Sequence, residues 1–574
     1  MRYRASESGY TTRRQHQGEA RPIRHAVAVV VAAASLALAG SALAAPGNPP
    51  PPDSTTQPLK DGCQRSAAAL LAGTSPEWVY VYNTPPDQAA PKPQWASGIA
   101  SSYNPAFQAV HTAGGDNPAG HDAYDFNVNI AVDAQYSFLL GGSAASGTGN
   151  YAGNGEETQR LHTEWEDLAI PKFAWPEPGD RVTQRGSWVW DCGHWGTPTN
   201  PFSPDYWLPK EGQPCPGLVA PDPSQCMITG ERTEFHPYRA IWDQRAQPPN
   251  SPYGASEAEL FISTEKTEAG KEADCAHRYP PPPGQATYGP DYQACVASEP
   301  NWQDVSGHYS FFLPAPPKPS PDATLIYRAV NHGSLGASKP KLTPTADGLQ
   351  VTFGVSSAAG QRVIMGYSFF VGWSPVPAAT VPTHLRVTFD QLVVHRAMDP
   401  GCSGGASVPD CQYESTNQNQ SSTAPGDWNL YWDVNGIWGQ WAPGDGEFLT
   451  EDGDTLSGGQ SVDLYVPPGN GWRLYVHGRE CDLNALDPAR APFVDCPTNR
   501  EAASDNDVQG QIVDAYASAD ASVGTHTSNA QTAGTDLTST CPSANPSGCY
   551  TLTYTVSKVD DAAARTGPVP PGGP

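Results

Sequence analysis

Proline and glycine punctuate this chain so densely that long regular helices have no room to form. Together they make up 116 of its 574 residues. Both are poor in helix interiors, glycine for its conformational entropy and proline for its missing N–H. Between them lie short runs that alternate apolar and polar residues and are rich in Val, Ile, Tyr, Phe and Thr, notably 324–329, 348–355, 362–371, 385–395, 428–434, 461–466, 473–476 and 550–556. Such runs read as strands, and their spacing predicts an all-β protein with sandwich-like packing. With 16 Trp, 24 Tyr and 15 Phe the chain has the material for sizeable cores. The formal net charge is −26 and basic runs are absent, which excludes a general binder of nucleic acid.

The first 44 residues read as an export signal. Six arginines precede an Ala/Val/Leu/Ser run over 26–40, and Ala42-Leu43-Ala44 supplies a small-residue cleavage site before Ala45. A membrane anchor needs roughly 20 apolar residues where this run has 15. The expected location is therefore secreted, extracellular or periplasmic, with no transmembrane segment. The 12 cysteines then read as a disulfide framework. Their spacing groups Cys215/Cys226, Cys275/Cys295, Cys402/Cys411, Cys481/Cys496 and Cys541/Cys549, leaving Cys63 for Cys192.

Composition divides the rest into two blocks. Residues 45–62 are Pro-rich and flexible, and 63–313 form an N-terminal β-rich block, barrel-like or sandwich-like. The proline run 314–321 reads as a linker. A C-terminal β-sandwich follows over 322–560, with a low-complexity excursion near 502–540, and 561–574 read as a disordered tail. Helix is expected only in short pieces such as 66–72.

The first block gathers histidines and acids in four strand-like segments: 121–129, 161–166, 188–195 and 231–237. Alternate residues of a strand share a face, so His162, Glu164 and Glu166 point one way, as do Glu234 and His236. A divalent transition metal needs three or four such side chains converging from rigid strands. Asp191, His194, Glu234 and His236 are the expected ligands, with His162 and His121 as further candidates. Glu164 or Glu166 would be the general base of a metal-assisted hydrolysis. Neither an H-E-x-x-H nor a G-x-S-x-G signature is present. The competing reading is structural: a half-exposed sheet, or a buried His–carboxylate pair that fixes it.

The segments 121–129, 179–182, 188–195 and 230–239, with 385–400, 426–438 and 472–481 downstream, resemble a family of exported, disulfide-containing bacterial proteins. The shared features are the D-x-G-H-W pattern at Asp191–Trp195 and the T-E-F-H-P pattern at Thr233–Pro237. The resemblance implies export and a single recurrent unit made of both blocks. It brings no activity, substrate or ligand.

The second block carries Asp390, Asp399, Asp433 and Asn435 near predicted strand ends, and Asp445, Glu447, Glu451, Asp452 and Asp454 beyond them. Carboxylates on loops suit calcium, which is the candidate cofactor there, while the competing reading is that these acids are solvated and ligand-free. Trp428, Trp432, Trp438 and Trp441 are read as core, with stacking on an extracellular polysaccharide as the alternative. The leading function is a metal-assisted extracellular hydrolase. The alternative is a non-enzymatic cell-surface or carbohydrate-binding sandwich protein.

Overall fold

Nine strands of the first 374 residues hydrogen-bond into one sheet, and part of that sheet closes on itself. They are β1 (Trp78–Tyr80), β2 (Gln94–Ala100), β3 (Phe126–Val132), β4 (Leu161–Trp165), β5 (Arg181–Trp195), β6 (Glu231–Gln244), β7 (Ser256–Ser263), β8 (Thr324–Leu335) and β9 (Ile364–Ser374). Their order is β1-β5-β2-β3-β4-β6-β7-β9-β8, and a further β5–β6 pairing closes β5, β2, β3, β4 and β6 into a five-stranded barrel. The structure is a computed structural model that describes residues 76, 78–82, 86–101, 126–143, 148–151, 159–165, 170–195, 207–209, 226–228, 231–266, 268–281, 288–300, 302–357, 361–376, 378–395, 426–441, 447–450, 453–480, 508–530 and 550–560. All of these fall in one unit, 45–574. The export signal, the 45–62 segment, the 66–72 helix and the 561–574 tail lie outside the described residues.

Strand β6 is shared. Along one edge it pairs with β5 from Glu231 to Gln244. Along the other it pairs first with β4, in parallel, then with β7, antiparallel. The β5–β6 register shifts between Phe235 and Tyr238, around Pro237, which has no N–H to offer a ladder. Val128, Ile130, Leu161, Trp165, Val182, Trp188 and Phe235 come together in one buried apolar cluster. A Cβ on Gly186 would sit 2.8 Å from that of Phe235, so the close approach of β5 to β6 requires glycine there.

The expectation that 314–321 is a linker between independent blocks is corrected by the pairing. Strand β7, before the proline run, pairs with β9, after it. Gly307–Pro314 likewise pairs with Gly348–Val355, and this small sheet packs on β6, β7 and β9 through Trp242, Phe311, Phe353 and Phe369. The run is a surface connection, and the first block extends to Ser374. The C-terminal sandwich begins at Thr383, not at 322. One of its sheets centres on Thr383–Val394, flanked by Ser461–Val466 and Tyr550–Lys558. The other centres on Gly426–Val434, flanked by Ile437–Gln440 and Trp472–Glu480. Leu385, Val387, Phe389, Leu430, Leu474 and Leu552 fill the space between them.

The excursion near 502–540 is also corrected, since Val508–Tyr516 and Gly524–Asn529 are strands of this sandwich. Two helices were not expected, α1 (Glu268–Arg278) and α2 (Pro290–Ser298), joined by a Cys275–Cys295 disulfide. The side chains of the other ten cysteines lie outside the described residues. No helix among the described residues is long and apolar enough to cross a membrane.

A protease site inserted within 314–321 tests the cross-linker pairing. Both fragments of the nicked protein are expected to co-elute in native size exclusion. Their separation without denaturant would contradict the shared sheet.

Candidate metal centre

The polar alternates of β4 and β6 meet because the two strands run parallel, with Glu234 opposite His162 and Phe235 opposite Thr163. Leu161, Thr163, Trp165 and Phe235 take the other face, so His162, Glu164, Glu234 and His236 are collected on one face and buried with it. The side chains of Glu164, Glu234 and His236 are 3%, 1% and 0% exposed, and that of His162 is 15% exposed. His162, Glu164 and Glu234 each offer a ligand atom, and the three atoms lie within 4.8 Å of one another.

The hydrogen bonds fix where the protons are. His162 Nδ1 is 2.8 Å from Asn129 Oδ1, a carboxamide oxygen that only accepts, so Nδ1 carries the hydrogen. His162 Nε2 then faces Glu164 Oε1 at 2.5 Å. A neutral ring protonated on Nδ1 would present a lone pair to that carboxylate. A proton or a metal cation must therefore lie between the two atoms. His236 Nδ1 lies 2.8 Å from Glu164 Oε2 and 3.1 Å from Glu234 Oε1, so its N–H bridges the two carboxyl groups. Trp78 Nε1 donates to Glu234 Oε1 at 2.9 Å, and the Trp78 ring stands edge-on to His236 with centroids 4.8 Å apart.

These surroundings drive the two carboxyls apart. Burial pushes Glu164 up, but the charges of His236 and His162 outweigh it and hold the group well below the usual range. Glu234 is pushed up to about 7, by burial first and then by the nearby charges of Asp191 and Glu164. Two carboxyls separated in this way are a recurrent arrangement of acid–base and metal sites.

The geometry keeps some expected residues and displaces others. His162, Glu164, Glu234 and His236 converge. Asp191 is buried on the strand facing Trp78 and acts on Glu234 through its charge. His121 and Glu166 lie outside the described residues, as does the side chain of His194. Glu164 is a poor general base, because the two imidazoles lower its basicity. Trp78 and the role of Asn129 were not anticipated, since nothing in the local sequence ties either to residues 30 or more positions away.

The acids expected to hold calcium do not assemble among the described residues. Asp390 accepts from Thr555 Oγ1 at 2.7 Å, Asp433 accepts from the Gly436 N–H at 2.6 Å, and Asp454 is bonded to Thr450. Asp399, Asp445, Glu451 and Asp452 lie outside the described residues, as does the side chain of Glu447. Trp428, Trp438 and Trp441 are buried and Trp432 is half-buried, so this group packs the core, with Trp438 also lining a cavity.

No protein-family model and no curated protein matches the chain. Among solved structures it shows a likeness to human GIVD cytosolic phospholipase A2, at 7% identity and a TM-score of 0.16. That alignment covers 58% of this chain and 27% of the other protein, and so low a score carries no argument.

The raised Glu234 sets a sign for pH. Its folded value of about 7 exceeds the ordinary 4.5, so the folded state holds the proton longer than the unfolded chain does. Its contribution is complete below about pH 4.5 and is lost as pH rises through 7, by at most about 3 kcal/mol. In metal-free buffer, Glu234→Gln is therefore expected to lose less stability than the parent between pH 5 and 8. Parallel pH profiles in chemical denaturation would contradict the assignment.

Proposed function

We propose that the protein is an exported β-protein whose barrel holds a divalent transition metal on His162, Glu164 and Glu234, and that it uses this centre in metal-assisted hydrolysis. One observation carries the reading: neighbouring strands bring a histidine nitrogen of His162 and carboxylate oxygens of Glu164 and Glu234 within 4.8 Å of one another in a buried site. Metal–ligand distances of about 2.0–2.2 Å place tetrahedral ligand atoms roughly 3.3–3.6 Å apart, so the 2.5 Å His162–Glu164 contact would open around an ion while all three atoms already lie within 4.8 Å of one another.

The remaining partners have supporting roles. Asn129 holds the His162 ring, the His236 N–H steadies both carboxylates, and Trp78 steadies Glu234. Such outer contacts typically set affinity by ten- to a hundredfold. A bound metal would supply an activated water near neutral pH. His162 is the most exposed of the four side chains, so its side is where water and substrate enter. The export signal read from residues 1–44 would give the whole chain an extracellular role.

Elemental analysis of untagged protein equilibrated with zinc tests the reading. One equivalent is expected in the parent and background in His162→Ala, while exposed His308→Ala keeps the full equivalent. Trp78→Phe should bind about tenfold more weakly without losing the site. Chelator-sensitive cleavage of chromogenic esters or phosphodiesters is expected of the parent alone. No metal in the parent, or a full equivalent in His162→Ala, overturns the centre and leaves an imidazolium–carboxylate network.

A further inference from the structure

A second polar site lies where the C-terminal sandwich meets the open part of the nine-stranded sheet. Asn435 and Gly436, with φ of 53° and 97°, form a tight turn that carries Ile437 and Trp438 over the face of β7, β9 and β8. The turn does not fill the space, and a cavity of about 320 Å³ remains, within the range of small-molecule sites. Its sheet wall presents Glu259, Ser368, Phe370 and Arg328, and Phe173 and Trp438 line it with them.

The charges around this cavity are matched except at one position. Arg245 is committed to Asp180 and Asp243 and to the carbonyl oxygens of Trp175 and Phe173. Glu257 accepts from the N–H and the side-chain amide of Asn250. Ser368 Oγ joins Glu259 to His332, whose Nε2 is 2.5 Å from that hydroxyl. Burial and the neighbouring Glu257 push the Glu259 carboxyl well above its usual range. The Arg328 guanidinium carbon lies over Phe370, 4.4 Å from the ring centroid, and among the described residues no carboxylate is ion-paired with it. In a chain of net charge −26, an arginine left without an acid at the wall of a cavity is a selective feature. Contact with the ring restrains the guanidinium, whose planar fork suits a carboxylate.

We infer that this cavity binds a small organic carboxylate, its acid group held by Arg328 and its ring seated against Phe370 and Trp438. Ser368 and His332 provide hydrogen bonds to the polar edge of the ligand. The inference is independent of the metal centre, which is built on other strands.

Titration calorimetry on the full mature chain at pH 7 decides it, with glucuronate against glucose and benzoate against benzyl alcohol as paired probes. At least one acid is expected to bind about tenfold or more tightly than its neutral partner, since bonds to charged groups are the stronger ones. The pair that responds separates a sugar acid from an aromatic one. Arg328→Gln should abolish the difference. Val330→Trp, which changes an exposed residue lining the cavity, should block both probes without disturbing the core. Absence of binding by either acid, equal binding of acid and neutral partner, or unchanged binding in both variants would overturn the site.

Discussion

The double use of β6 is the constraint on which the barrel and its polar site depend. One strand pairs with β5 along its whole length and with the parallel β4 at its beginning. That arrangement closes the barrel and sets Glu234 beside His162. Parallel neighbours keep equal residues level, so two short alternating segments place four polar side chains on the same face. Burial then forces these groups to satisfy one another, because a desolvated carboxylate left alone would cost several kcal/mol.

A similar economy joins the sandwich to the first sheet. Arg473 of the sandwich bonds to Glu177 and lies 3.6 Å from Asp433, while Trp438 packs edge-on to Trp175 at 4.9 Å. Asp433 and Glu177 are both buried, and burial, followed by the Glu177 charge, raises Asp433 well above the usual range. The contact between the two layers is thus partly a buried pair of acids organised by Arg473. The cavity under the Asn435–Gly436 turn lies where this polar contact gives way to aromatic packing.

Much of this was legible in the sequence, for physical reasons that can be named. Alternation in Leu161-His162-Thr163-Glu164-Trp165 and around Phe235 marked both the strands and the shared faces. The all-β class followed from the dense Pro and Gly punctuation. Pairing partners were not legible, since alternation says which face a residue takes but not which strand lies beside it. The proline run 314–321 read as a domain boundary because local composition carries no trace of the β7–β9 ladder that bypasses it. Helix α1 was missed because its buried face is built of small residues, among them Ala269, Ala273, Cys275 and Ala276, within an otherwise polar segment. Trp78 and Ser368 entered their sites only through tertiary pairing.

Crystals of the protein, measured on both sides of the zinc absorption edge, test the central claim most directly. The account predicts an anomalous peak about 2.0–2.2 Å from His162 Nε2 and from a carboxylate oxygen of Glu164 and of Glu234, with His162 Nδ1 still bonded to Asn129. An unbroken His162–Glu164 hydrogen bond, with no peak in crystals grown with zinc, would contradict it.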